Sequence, residues 1–306
     1  MSFKDQYLEF KQPSQARENF VYNSVVSSIP KAQIVNNMKP ITVPGPNGTK
    51  LTFKVMPDFL TLDGLRVSLS GATAQKIANH YGLSLPNTEI AKQIYNAADI
   101  KVNAKPLSGT GTTVDGKFYN NQAVLDKGVG YSAFNANYND VVNKQLANQG
   151  VNVGDNSKIV DGFAKNIVSP PADPSKLGIY GLWSDKNKGP IQGGSGESPH
   201  SSDIHSEYCT YARLIGDQVL VTNPDGSQVT KPISEVYNIK QYKIPNSIKQ
   251  NDKSIEPTPI TSKSEQTLTQ PTTPTEPSAD KTNEDKPSPR MSFLQKIDNF
   301  LSGLVN

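Results

Sequence analysis

Two of the chain's three histidines and its only cysteine fall inside one short run, Ser198-Pro199-His200-Ser201-Ser202-Asp203-Ile204-His205-Ser206-Glu207-Tyr208-Cys209-Thr210-Tyr211-Ala212-Arg213. If 203–213 is a strand, alternate side chains share a face, so Asp203, His205, Glu207, Cys209, Tyr211 and Arg213 form one row of titratable groups. A face this polar lines a cleft or meets solvent. Three chemistries could use it. His200, Asp203 and His205, with Glu207, supply ligand types suited to zinc or iron, but the H-x2-D-x-H spacing matches no known structural context. Cys209 could act as a nucleophile with His200 or His205 as base. Along one strand, however, His205 and Cys209 stand ~13 Å apart, which leaves His80 as another candidate base. Glu207 or Asp203 could do general acid–base work while Arg213 holds an anionic group. The plain alternative is a hydrogen-bonded polar wall with no catalysis. The candidate catalytic set is Glu207, His200 and His205. The candidate substrate-binding set is Asp203, Tyr208, Cys209, Arg213 and Tyr180. No resident metal or cofactor is expected.

The elements that must position this row are read from period and punctuation. Ser14 caps a helix that carries Ala16, Phe20, Val21, Val25 and Val26 and ends at Pro30. Ile41–Val43 and Leu51–Val55 flank Pro46-Asn47-Gly48, a tight-turn signal for a hairpin. Ala74, Ile77, Ala78 and Tyr81 share one helix face, with Gly82 as its C-terminal cap. A second helix starts near Asn87 or Thr88 and carries Ile90, Ala91, Ile94, Tyr95 and Ala98. These two helices suggest a DNA-reading unit only superficially, because Pro86 stands where the reading helix should start and no basic cluster follows. Residues 103–157 read as Gly/Asn-rich surface loops with a helix near 138–149. Leu177–Trp183 reads as a buried strand, and Gly189–Gly196 as a flexible loop without the lysine of a phosphate cradle. A last hairpin joins Gln218–Thr222 to Gln228–Lys231 through Asn223-Pro224-Asp225-Gly226.

Composition separates the rest of the chain from this domain. Only 35 % of residues are apolar, below the ~45–50 % of globular proteins, and the deficit concentrates near the end. Residues 249–290 hold seven prolines and no aromatic side chain, so they cannot bury enough apolar area to order themselves. Beyond them, Ser292 and Gln295 make a capping-box pattern. Phe293, Leu294, Ile297, Phe300, Leu301 and Leu304 then line one helix face. A helix this short folds only when that face is covered, by its own domain, a second copy, another protein or a lipid surface; the preferred reading is a protein partner or self-association through 291–306. A net charge of +3 argues against nucleic acid, and the terminal helix lacks the basic face of a membrane binder. No leader-like segment and no run of ~18 apolar residues is seen. The expected location is therefore the cytoplasm of the producing cell, with a virion as the alternative. A single cysteine excludes an intramolecular disulfide.

An ordered series of short matches runs through the chain: Thr73-Ala74-Gln75-Lys76-Ile77-Ala78, Leu85-Pro86, Ile94-Tyr95, Ile179-Tyr180-Gly181, Gly189-Pro190-Ile191-Gln192, His200, Tyr208 and Arg213-Leu214. Over 56–237 the chain resembles a functionally uncharacterised bacterial and phage-borne family with a block of the form IYGWH, GxPIQ, His and DYSHGxRLV. In that family the Asp, Ser and His of DYSHG look like a reactive cluster, which implies a hydrolase. Here the block is degenerate: Glu207-Tyr208-Cys209-Thr210-Tyr211 replaces DYSHG, and Leu182-Trp183 replaces Trp-His. If the lost histidine is the catalytic one, His205 or His200 must stand in, or the protein is inactive.

The expected architecture is α+β: a flexible segment 1–13, one globular domain over 14–244 with a mixed or antiparallel sheet and packed helices, a disordered linker 245–290 and an amphipathic docking helix 291–306. The expected function is a hydrolase-like domain with a polar cleft, possible substrates being cell-wall glycopeptides, tethered to a larger assembly, phage-related on the resemblance. The alternative is a non-catalytic structural or adaptor protein recruited through its terminal helix.

Overall fold

Asn47 sits at φ 54 in a one-turn loop at Pro46–Gly48, and this left-handed residue turns β1 (Lys39–Pro44) back on β2 (Lys50–Val55). The computed structural model describes residues 1–104, 112–114, 117–119, 130–170, 173–184, 189–192, 197–202 and 204–246. Alternation along the hairpin buries Ile41, Val43, Leu51, Phe53 and Val55. β3 (Thr61–Leu62) and β4 (Leu65–Arg66) form a two-residue ladder after it. The free side of β2 is taken by a strand from far along the chain, β14 (Ile215–Thr222), which then turns through Asn223–Ser227 into β15 (Gln228–Pro232). The result is a four-stranded antiparallel sheet in the order β1-β2-β14-β15. Its apolar face packs on Ile90 and Ile94 of α5 (Thr88–Ala97) and on Ile233 and Tyr237 of α7 (Ile233–Tyr237).

A second sheet is mixed. β9 (Lys165–Val168) pairs antiparallel with β10 (Lys176–Ser184) and parallel with β13 (Thr210–Tyr211). On its far side β10 carries β11 (Gly189–Gln192) and β12 (Glu197–Ser201). Smaller ladders join β5 (Ile100–Lys101) to β8 (Val160–Asp161) and β6 (Thr112–Val114) to β7 (Lys117–Tyr119).

The helices behave as their caps dictate. Ser14 accepts from the Arg17 N–H and starts α2 (Gln15–Ser28); Ser70 does the same for α4 (Gly71–Tyr81), and Asn87 for α5. Gly82 ends α4 at φ 64, a conformation that costs glycine little. α4 is buried almost all round, packing Ala74, Ile77, Ala78 and Tyr81 into a core shared with α2 and with Ile167 and Ile179 of the second sheet. The short α3 (Lys31–Asn37) adds Ile34 to it.

Several expectations change. The first thirteen residues, read as a flexible lead, carry α1 (Phe3–Leu8), started by a reciprocal Ser2–Asp5 capping box. A helix this short does not hold by itself; the fully buried ring of Tyr7 anchors it. The helix read near 138–149 runs instead over Gly130–Ala147 as α6, and its Tyr138, Val142 and Leu146 fill a third cluster with Phe59, Phe163 and Tyr211. Part of the loop read at 189–196 is strand β11; residues 193–196 lie outside the described residues, as does the chain from 247 on, and with it most of the linker and the whole terminal helix read there. All described residues belong to one compact unit, and its α+β class agrees with the reading from sequence. No helix among them is long and apolar enough to cross a membrane.

Candidate active site

The run 203–213 is not one strand, so its row of titratable groups does not exist as such. Only Thr210 and Tyr211 are extended in a ladder, and 204–209 turn on their way into it. The physical reason is that β13 must enter beside β9 in parallel register, with Thr210 opposite Lys165 and Tyr211 opposite Asn166, and the preceding residues have no strand to continue against. The turn scatters the described side chains of that row, His205, Glu207, Cys209, Tyr211 and Arg213, into three environments.

Glu207 and His205 stay together. Nε2 of His205 lies 3.6 Å from Oε1 of Glu207, and the Lys165 ammonium, reaching in from β9, pairs with Oε2. The side chains of His205 and Glu207 are 27 % and 22 % exposed, so both are partly open to solvent although Nε2 of His205 itself is buried. Burial alone would raise the Glu207 carboxyl, but the neighbouring imidazole and the Lys165 cation outweigh it and hold the group at about 2. Glu207 is therefore a fixed anion at neutral pH and no general acid.

Cys209 goes the other way. It is fully buried among Phe163, Tyr138 and Tyr211, and burial pushes its thiol up to about 12. A thiol kept protonated in an apolar core is neither a nucleophile nor a substrate contact, which corrects the role read for it. His80 offers it no base, since its ring packs 4.9 Å from Tyr81 and 6.4 Å from Tyr22.

Arg213 is also corrected. Its guanidinium is wholly buried, donates from Nη1 to the carbonyls of Met56 (2.9 Å) and Pro57 (3.1 Å) and from Nη2 to that of Val160, and lies 4.3 Å from the Phe59 ring centre. Asp161 Oδ2 stands 3.8 Å away, itself buried. Burial disfavours the charged form on both sides, lowering Arg213 and raising Asp161. This cation ties the segment 56–57 to Val160 and holds no external anion.

Tyr208 lies edge-on to Tyr138 and Phe134, with ring centres 5.3 Å and 5.9 Å away. Tyr180 belongs to another cluster, packed on Trp183, which stacks on Tyr95 at 3.6 Å. His200 lies in β12. Asp203 and the docking residues Phe293, Leu294, Ile297, Phe300, Leu301 and Leu304 lie outside the described residues. Among the described residues no three His, Cys, Asp or Glu side chains form a group able to hold a metal ion.

The structure adds residues that the sequence reading missed. Lys165 sits in the apolar run Phe163–Val168, and a lone cation in such a strand is the one local signal that it has a buried partner. Arg17 and Glu18, outside the apolar stripe read for α2, are both buried and paired at 2.7 Å. Arg66 is likewise buried, held by Asp58 and Asn143.

Cavities of about 480 Å³ and 430 Å³ open elsewhere, the first against Val35, Met38 and Leu83, the second against Gln75, Asn79 and Gln241. Comparison with protein-family models, with curated proteins and with solved structures returns no match.

Proposed function

We propose that this domain is hydrolase-like and that its reactive group is the imidazole of His205, oriented by Glu207. The observation that carries this reading is the cluster of an imidazole, an ionised carboxylate and an ammonium gathered at a partly exposed turn. With Nε2 facing Glu207, that nitrogen carries the hydrogen and Nδ1 carries the basic lone pair. Nδ1 takes a proton from water as the water oxygen bonds to the scissile carbon; the imidazolium, stabilised by the Glu207 anion, then returns the proton to the leaving group as its bond breaks. Lys165 keeps Glu207 ionised throughout. The substrate class in this reading is a cell-wall glycopeptide, which rests on the family resemblance, as does a phage-related setting in the cytoplasm or virion.

The test is release of soluble fragments from purified cell wall by the full chain, His205→Ala and Glu207→Gln. Release by the full chain that drops at least ~100-fold in His205→Ala supports the reading; equal release by His205→Ala, or none by the full chain, rejects it.

A second reading is favoured by the spending of Cys209 and Arg213 inside the core. It makes the protein a non-catalytic structural or adaptor component, recruited through 291–306 by a protein partner or by self-association, with no nucleic acid and no membrane involved. It predicts that deletion of 291–306 abolishes partner capture while His205→Ala leaves it intact.

A further inference from the structure

We propose that Arg17 is a positioning residue for the His205–Glu207 pair: its guanidinium, brought in by the N-terminal helices, grips the turn at three consecutive residues, Ser206, Glu207 and Tyr208. The purpose given to this grip rests on the hydrolytic reading, while the grip itself is geometric.

Arg17 is 1 % exposed, and the bonds around it converge on that turn. Nη1 donates to Ser206 Oγ at 2.9 Å. Nη2 donates to the Ser68 carbonyl at 2.7 Å, and the hydroxyl of the same serine donates to the Glu207 carbonyl. Nη2 also donates to the Tyr7 hydroxyl. That hydroxyl donates to Asn135 Oδ1 at 3.1 Å, and Asn135 Nδ2 donates to the Tyr208 carbonyl at 2.8 Å. Each of the three turn residues is thus tied to the guanidinium directly or through one or two intermediate residues. Glu18 completes the arrangement: Oε1 takes Nη1 at 2.7 Å, and Oε2 accepts the Ser70 N–H at 2.9 Å, fixing the guanidinium against the start of α4.

A residue that only joined α2 to the core would need none of the bonds to 206–208. A buried ion pair is a costly way to hold helices together, since apolar side chains of similar volume do so as well or better. A planar cation with five fixed donors, in contrast, suits the task of holding a short irregular turn whose backbone has no ladder to satisfy it. The turn presents His205 and Glu207 to Lys165 of β9. A turn released by loss of Arg17 would let Glu207 swing toward solvent and lose that pairing.

The readout is the titration of the Glu207 carboxyl, followed by carbon-detected NMR on the full chain. The charged and titratable groups set around it are Lys165 from β9, and His205 and Cys209 from its own turn. In the wild-type chain Glu207 stays ionised down to about 2. In Arg17→Met/Glu18→Gln, which removes both charges and strands neither, its midpoint rises by about one unit or more toward the ordinary carboxyl value. Ser206→Ala/Tyr7→Phe, which cuts two of the three ties with little change in volume, moves it in the same direction by less. Tyr81→Phe removes a buried hydroxyl bonded to the Val25 and Ile29 carbonyls; it lowers stability and leaves the midpoint unchanged. An unchanged midpoint in a folded Arg17 variant overturns the proposal. If that variant does not fold, an unchanged midpoint in Ser206→Ala/Tyr7→Phe overturns it. An ordinary midpoint in the wild-type chain overturns it too. The measurement uses no substrate, so absence of hydrolysis leaves its result standing. Conversely, hydrolysis lost without a shift in Glu207 rejects positioning and leaves the hydrolytic reading in place.

Discussion

Replacing Arg213 by methionine should be the most damaging single change at the centre of the domain, and its size can be worked from the contacts. The side chain is fully buried and is bonded to the carbonyls of Met56, Pro57 and Val160, with Asp161 beside it. Methionine fills most of the volume but returns none of those bonds. Removing one partner of a buried ion pair costs about 3–5 kcal/mol, and the loss of the donor to the Met56 and Val160 carbonyls adds roughly 1 kcal/mol or more each, while the Pro57 carbonyl keeps the Val160 N–H. A loss of about 5 kcal/mol or more is comparable with the whole stability of many domains. Urea unfolding followed by fluorescence of Trp183 measures it. The pH dependence identifies the cause. Burial raises the Asp161 carboxyl above its ordinary value in the intact protein, and loss of the cation raises it further. A group whose folded value is raised binds protons more readily in the folded state. Its effect on stability therefore worsens as pH rises through the window between the ordinary and the folded value, and eases as pH falls. Arg213→Met should accordingly regain stability toward acid relative to wild type, and Arg213→Met/Asp161→Asn should recover about 1–2 kcal/mol at neutral pH. A loss below about 1 kcal/mol for the single variant, or a double variant no better than the single one, would refute the reasoning.

Two further outcomes follow from packing. Cys209, fully buried with its thiol raised to about 12, should react with a maleimide at the rate of global unfolding, so labelling that is fast in the native protein contradicts its placement. Gly181 stands at φ +139 with the Ala164 carbonyl oxygen 2.2 Å from where a Cβ would lie; Gly181→Ala should lower stability by about 2 kcal/mol or more in thermal melts, and an unchanged midpoint would show that β10 yields there.

Legibility in the sequence followed the kind of signal involved. Both outer hairpins were readable because Asn47-Gly48 and Asp225-Gly226 mark their turns, and α4 and α5 because Gly82 and Asn87 punctuate a clean helical period, while the Ser70 cap that starts α4 was not read. The start of α6 was hidden by Ser132, Asn135 and Asn139, which are buried and hydrogen-bonded although they look like loop residues. The misread row at 203–213 came from an alternation that was real in type but had no neighbouring strand before Thr210. The candidate site was legible in half its parts: Glu207 and His205 do meet, whereas Cys209 and Arg213 are spent inside. Arg17, Arg66 and Lys165 escaped notice because arginine and lysine are seldom buried, and only their partners, 42 or more positions away for Lys165, reveal why these are.

The pairing of β2 with β14 bears on how the chain emerges during synthesis. Val55 meets Ile215, so about 160 residues must leave the ribosome before β2 gains its second neighbour, and closing a loop of that length is slow. Until then Leu51, Phe53 and Val55 belong to a two-stranded hairpin with one unpaired side, a form that is marginal in water and open to wrong strand partners. Nascent chains of this protein therefore pass through a long interval in which the hairpin has no second neighbour, and a stop codon before β14 would leave that interval permanent.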